Sequence, residues 1–365
     1  LKTVGLLIAS LLFSSQISNK LMATDPVPWE LVMQWQPCKA NLRAVHAFDS
    51  QHVWIGGSQG TILATDDGGV NWRDISPASH AKSEFRSLWS LGPKTAVAAT
   101  AGQPAVILRT EDGGDSWSEV FRSNAEETFF NGLRFVDPLR GMAFSDPVNG
   151  RLLILRTVDG GKSWQPIASD SIPAAEPGEA GFAASNSGLT LFKLDSSRGE
   201  GTAPPIVVWI GLGGSTEGAS RLFHSHNFGD TWKIAMVDPI QRNASSGIFA
   251  LALMNPQRGI AVGGDYTRES GAQSHIAITE DGGLHWRLPK GTPPRGFRSG
   301  LVYVTAVGFI CVGPTGCEAS VDGEDWEKVS DVGYHAVVAD DVQGLWCVGS
   351  DGRVAHFTRT FSKLE

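Results

Sequence analysis

Thr65-Asp66-Asp67-Gly68-Gly69-Val70-Asn71-Trp72 recurs along this chain. It returns as Thr110 to Trp117 (TEDGGDSW), Thr157 to Trp164 (TVDGGKSW), Ser225 to Trp232 (SHNFGDTW) and Thr279 to Trp286 (TEDGGLHW). A shortened copy runs from Ser320 to Trp326 (SVDGEDW). The closing residues Trp72, Trp117, Trp164, Trp232, Trp286 and Trp326 are 45, 47, 68, 54 and 40 residues apart. That period suits a four-stranded blade, and repeated blades build a β-propeller. The turn has a legible chemistry. The side chains of Asp67, Asp112, Asp159, Asn227, Asp281 and Asp322 accept nearby backbone N–H groups, and the glycines supply positive φ. Each tryptophan buries against the next sheet and needs a partner for its indole N–H. These twelve residues are therefore read as structural.

Working outward from each turn, the same text precedes it. An apolar strand such as His52-Val53-Trp54-Ile55-Gly56-Gly57 leads through a glycine turn to a second strand, Thr61-Ile62-Leu63-Ala64-Thr65. A seventh unit repeats the two central strands as Leu345 to Gly349 and Arg353 to Phe357, then lacks the Asp turn. Its missing outer strand is expected from Pro28 to Trp35 (PWELVMQW), which closes the ring and removes an exposed edge. The expectation is all-β: a seven-bladed propeller of four-stranded blades over 24–365, with an insertion at 165–205 before the fourth core.

Composition agrees. Of 365 residues, 19% are charged and 41% hydrophobic, with Gly 43, Pro 19 and Trp 12. This is a turn-rich, aromatic, core-forming chain. The net charge is −8, without a basic run, so duplex nucleic acid is not an expected partner. Lys2 followed by the apolar run Val4 to Phe13 suits a secretory leader and is too short to span a bilayer. Cleavage is placed after Ala23, making the mature protein periplasmic or secreted, with no transmembrane helix left. Export permits disulfides among Cys38, Cys311, Cys317 and Cys347. Cys311 and Cys317 flank a Pro-Thr-Gly turn and could face each other across a hairpin, or all four could be free thiols. No CxxC, metal cluster, phosphate loop or nucleophile elbow is present, so neither a cofactor nor a metal is expected.

The turns resemble BNR/Asp-box repeats, Ser/Thr-x-Asp-x-Gly-x-Thr-Trp. The longer blade text, such as Gly259-Ile260-Ala261-Val262-Gly263-Gly264 followed by Thr279 to Trp286, resembles the photosystem II stability/assembly factor-like family of exported propellers. The likeness covers roughly 40–357. It implies a non-catalytic scaffold that binds a protein. Sialidases, sortilin-like receptors and some glucanases share such boxes, so the alternative is a carbohydrate-acting hydrolase or lyase.

A ligand site is expected on the face where inner strands begin and second-to-third strand loops lie, opposite the box turns. Arg43, Arg86 and Arg298 share one textual position (Leu-Arg-Ala, Phe-Arg-Ser, Phe-Arg-Ser), and His335 falls at a fourth. Arginines gathered at a channel mouth can grip carboxylate or phosphate. Asp146, Asp265 and Glu179 are candidate counter-charges, with Tyr266 and Asn186 as neighbouring hydrogen-bonding groups. Gly181 to Asn186 is expected to be ordered, because Phe182 needs burial. The expected partner is a protein or an anionic or carbohydrate ligand, taken up by a monomer. A sialidase would need a tyrosine–glutamate pair beside its arginines. The chain has three tyrosines, Tyr266, Tyr303 and Tyr334, and no Phe-Arg-Ile-Pro motif.

Overall fold

The computed structural model describes residues 29–194, 204–215, 217–271 and 275–359. The leader at 1–23 and its cleavage after Ala23 lie outside the described residues. Seven antiparallel sheets follow one another around an axis. Their innermost strands are Leu42–Ala47, Phe85–Ser90, Phe130–Phe135, Leu189–Lys193, Ser246–Leu253, Gly300–Val304 and Ala336–Ala339. Each touches the next, and the last touches the first, so the ring is closed. Blades are numbered here by these strands, one to seven. Among the described residues no helix is long and apolar enough to cross a membrane.

The six box turns work as the residue types dictate. In blade one, Thr65 Oγ1 donates to Asp67 Oδ1 at 2.8 Å and accepts the Gly69 N–H at 2.8 Å. Asp67 Oδ1 also accepts the Asn71 N–H at 2.8 Å. The pattern repeats around Asp112, Asp159, Asn227 and Asp281. The shortened sixth turn differs: Ser320 Oγ accepts the Gly323 N–H, and Asp322 holds the Glu324 N–H. The indole N–H expectation holds for half of the set. Trp117, Trp286 and Trp326 donate to the carbonyls of Ile75, Gly283 and Gly323, whereas the buried Nε1 atoms of Trp72, Trp164 and Trp232 have no partner.

Blade seven is built from both ends of the propeller. Trp29–Trp35 runs antiparallel to Val354–Arg359, with Trp29 opposite Arg359 and Trp35 opposite Val354. Trp35 stacks on the fully buried Trp346 at 5.5 Å and meets Trp72 edge-on at 6.1 Å. Blade five departs from the four-stranded plan. Its sheet gains Glu179–Ala180 and Gly213–Gly214 on the inner side, and its outer strand shrinks to one bridge, Ile278 to Arg287. The core is seven layers of apolar side chains between blades.

All four cysteines are free. The Cys311–Cys317 pairing is ruled out by register. Cys311 stands opposite Glu318, and Val312 opposite Cys317. A one-residue offset puts the two thiols on opposite faces of blade six, one packed toward blade five and the other toward blade seven.

Candidate functional site at the channel mouth

The first residue of each box fixes the register of its blade. Ala96 pairs with Thr110 in blade two, and Phe309 with Ser320 in blade six. Counting inward from these pairs, Ser87 matches Gly300, so Arg86 matches Ser299 and Arg298 matches the core-facing Phe85. The same count gives one mouth position per blade: Arg43, Arg86, Asn131, Ser187, Phe249, Ser299 and His335. In four blades this residue is a β-bulge, skipped by the ladder between Leu42 and Ala44, Phe85 and Ser87, Phe130 and Gly132, or Ile248 and Ala250. A bulge leaves its residue unpaired and re-aims the side chain.

Arg43 and Arg86, from blades one and two, form a cationic arc, which the neutral His335 of the adjoining blade seven extends. Burial, with Arg86 beside it, holds Arg43 below the usual guanidinium range, while Glu84 acts the other way. Burial followed by Arg43, Arg353 and Arg86 pushes the His335 imidazole down to about 4, so it is neutral at pH 7. Its Nε2 lies 3.0 Å from Ser350 Oγ. The arc has one carboxylate among its ion pairs, Glu84, which meets Arg86 Nε at 2.5 Å. Glu84 stood two residues from Arg86 in the sequence, yet sequence reasoning passed over it.

Arg298 does not join the arc. Its position is core-facing, and its side chain is 2% exposed. It donates through Nε and Nη2 to Glu318 Oε2 at 3.1 and 2.9 Å, and through Nη1 to Thr315. A pocket of about 490 Å³ opens over this pair at the rim of blade six, lined by Pro293, Pro294 and Lys328 among others.

The three proposed counter-charges are committed to partners other than the arc arginines. Glu179 is fully enclosed and holds Arg221 Nη1 at 2.8 Å and Arg242 Nη1 at 3.1 Å. Asp265 accepts Ser245 and Thr267 hydroxyls at 2.7 and 2.6 Å. Asp146 accepts Asn131 Nδ2 at 2.7 Å and the Gly181 N–H at 3.0 Å. Asn186 is a buried clasp rather than a lining residue. Its Oδ1 accepts the Leu133 N–H at 2.7 Å, and its Nδ2 donates to the carbonyls of Leu88 and Leu133.

These bonds anchor the Gly181–Asn186 segment over the mouth, where Phe182 is half-buried rather than enclosed. Phe182 stacks on Phe249 at 3.9 Å, Phe297 meets Phe249 edge-on at 4.6 Å, and the exposed Tyr266 borders both stacked rings at 6.3 Å. Arg86 Nη1 reaches the Ala183 carbonyl at 3.5 Å, joining the arc to this segment. The mouth thus sets guanidinium groups beside an aromatic shelf. Of the three tyrosines, Tyr266 alone stands exposed at the mouth. Tyr303 packs against Phe309, and Tyr334 turns into the core against Phe357.

Asp146 carries a pH signature. Burial raises its carboxyl from 3.8 to about 6, against the two hydrogen bonds it accepts. The folded state therefore takes up the proton more readily than the unfolded chain. The stability this adds is complete below pH 3.8 and is lost as pH rises through 6. Its ceiling is about 3 kcal/mol at ~1.4 kcal/mol per pKa unit. Between pH 7 and pH 5, Asp146→Asn should remove part of the rise in melting temperature that the unmodified protein shows. Identical pH profiles for the two proteins would contradict this assignment.

Residues 21–172 match the family model described as photosynthesis system II assembly factor YCF48. No curated protein matches the chain. Among solved structures, YCF48 bound to D1 peptide aligns at TM-score 0.61 and 19% identity, over 93% of this chain and 97% of that one. YCF48 from Cyanidioschyzon merolae aligns at 0.58 and 17% identity, over 90% and 98%. The WD40 β-propeller domain of Doa1 aligns at 0.58 and 11% identity, over 91% and 97%. At these identities the structural likeness is one of fold. The chain is a BNR-repeat propeller that resembles the photosystem II assembly factor.

Proposed function

We propose that this chain is an exported, non-catalytic propeller that captures an acidic, aromatic-bearing polypeptide segment on its channel-mouth face. The observation that carries the reading is the cationic arc. Arg43 and Arg86 stand together with one ion-paired carboxylate, Glu84, and the Phe182–Phe249 stack lies across the mouth from them. A guanidinium pair offers charge-assisted bonds to carboxylates, and the shelf offers apolar area to a ring. The fold likeness to a propeller described as bound to a peptide supports a protein-binding role. The apolar run at Val4 to Phe13 supports export.

The test is fluorescence anisotropy with a labelled twelve-residue probe containing four Asp or Glu and one Phe. Arg43→Ala with Arg86→Ala should weaken binding at least tenfold, which corresponds to loss of a charge-assisted bond of about 1.5–3 kcal/mol. Added salt should weaken binding to the unmodified protein. Equal affinity of the double variant, with folding intact, would overturn the reading. Mass spectrometry of the protein from its own cells tests export: an intact leader on soluble cytoplasmic protein refutes it.

A further inference from the structure

Three residues further along the inner strands, roughly 10 Å deeper at ~3.3 Å per residue, a second set of side chains converges. His46, Trp89 and Arg134 occupy one repeat position in blades one, two and three, each paired with the second residue of its neighbouring strand: Trp54, Val97 and Met142. They touch one another. The His46 and Trp89 rings lie 3.8 Å apart, and the Arg134 guanidinium sits 5.7 Å from the Trp89 ring centre.

The donors and acceptors do not balance. Arg134 Nε is enclosed and has no hydrogen-bond partner, and among the described residues Arg134 makes no ion pair. His46 Nδ1 receives the Ser90 N–H at 3.3 Å and lies 2.7 Å from Ser90 Oγ. A ring nitrogen that accepts a backbone N–H carries no proton, so the imidazole proton is on Nε2, a donor. Burial, then Arg134, pushes His46 down to about 3, which keeps the ring neutral. Trp89 Nε1–H is a donor only. The cluster therefore presents one positive charge and several N–H groups, and its one ring acceptor is already occupied. Arg134 is half-buried, and its guanidinium has no carboxylate partner among the described residues, so the component that would complete the cluster is negative.

We propose that the channel holds a small monovalent anion of halide size, bound by Arg134 with His46 Nε2–H and Trp89 beside it. This site lies below the mouth and does not depend on the polypeptide-docking reading. In this half-buried channel, dehydrating a strongly hydrated divalent ion costs more than dehydrating a weakly hydrated monovalent one.

The experiment uses crystals of the full chain soaked in bromide, read by anomalous scattering. The expected result is a peak within hydrogen-bond reach of Arg134 and His46 Nε2 in the unmodified protein. It should persist in the Arg43→Ala, Arg86→Ala variant, which separates it from the mouth, and vanish in Arg134→Gln. A solution measurement covers a variant that fails to fold. Exchanging gluconate for chloride at fixed ionic strength should raise the melting temperature of the unmodified protein by about 2 °C or more. Bromide confined to outer surfaces, or no halide-specific shift, would overturn the proposal.

Discussion

Glu179→Ala should destabilise the protein by about 3–5 kcal/mol, because breaking a buried ion pair strands the remaining charge. Glu179 is completely enclosed and divides its two oxygens between Arg221 and Arg242, whose side chains are 6% and 5% exposed. Losing the carboxylate leaves two guanidinium groups inside the protein. The Arg242 Nε already lacks a partner, and Arg221 keeps the Ala174 carbonyl at 3.1 Å. The neighbouring Glu176 provides a control. It touches both arginines but is 41% exposed, so Glu176→Ala should cost less than about 1 kcal/mol. Urea unfolding of the two variants decides the matter. A Glu179→Ala protein within about 1 kcal/mol of the unmodified one would mean that water reaches the arginines.

Deleting residues 28–37 should unfold the ring as a unit, with a loss at least as large as the ~3–5 kcal/mol of a buried Trp→Ala change. The deletion removes the ladder from Trp29 to Trp35, the Trp35 ring stacked on Trp346, and the Gln36 bond to the Asp351 carbonyl at 2.7 Å. It also uncovers the blade-one box, whose Gly69 leaves no room for a Cβ against Trp35. Trp35 ties blade one to blade seven through its rings on Trp72 and Trp346, so damage is not confined to one end. A single cooperative transition at lower temperature is the expected trace. Unchanged melting, or fraying of blade seven alone, would contradict the closure argument.

The fold was legible because its signals are local. A box writes its hydroxyl residue, Asp or Asn, glycine and tryptophan within eight residues, and six copies with one boxless unit set the blade count. The closing strand was legible as a deficit: a seventh unit without an outer strand, and an apolar segment without a blade. The site was only partly legible, because its partners are distant and its register is not textual. Phe297-Arg298-Ser299 copies the letters of Phe85-Arg86-Ser87, but blade six pairs one residue out of step, and a one-residue slip turns a side chain to the other face. Arg298 accordingly met Glu318 in the core. Glu179 looked like a free acid, since Arg221 and Arg242 lie 42 and 63 residues away. Arg134 escaped notice because nothing in Leu133-Arg134-Phe135 marks it as lacking a counter-charge.

The bulges at Arg43, Arg86, Asn131 and Phe249 have a consequence for how such a protein can change. A residue skipped by the ladder contributes little to strand pairing, and its side chain leaves the packed layers between blades. Arg43 and Arg86 can therefore be rewritten with little disturbance to the register that the box turns set, whereas Asn131 and Phe249 are buried, one holding Asp146 and the other packed under Phe182. Two arginines, an amide and a phenyl ring already occupy equivalent places. The axis of this propeller is a panel of exchangeable side chains on a fixed frame. Proteins with the same seven blades can differ entirely in what they bind, and a library randomised at Arg43 and Arg86 should stay folded while its ligand changes.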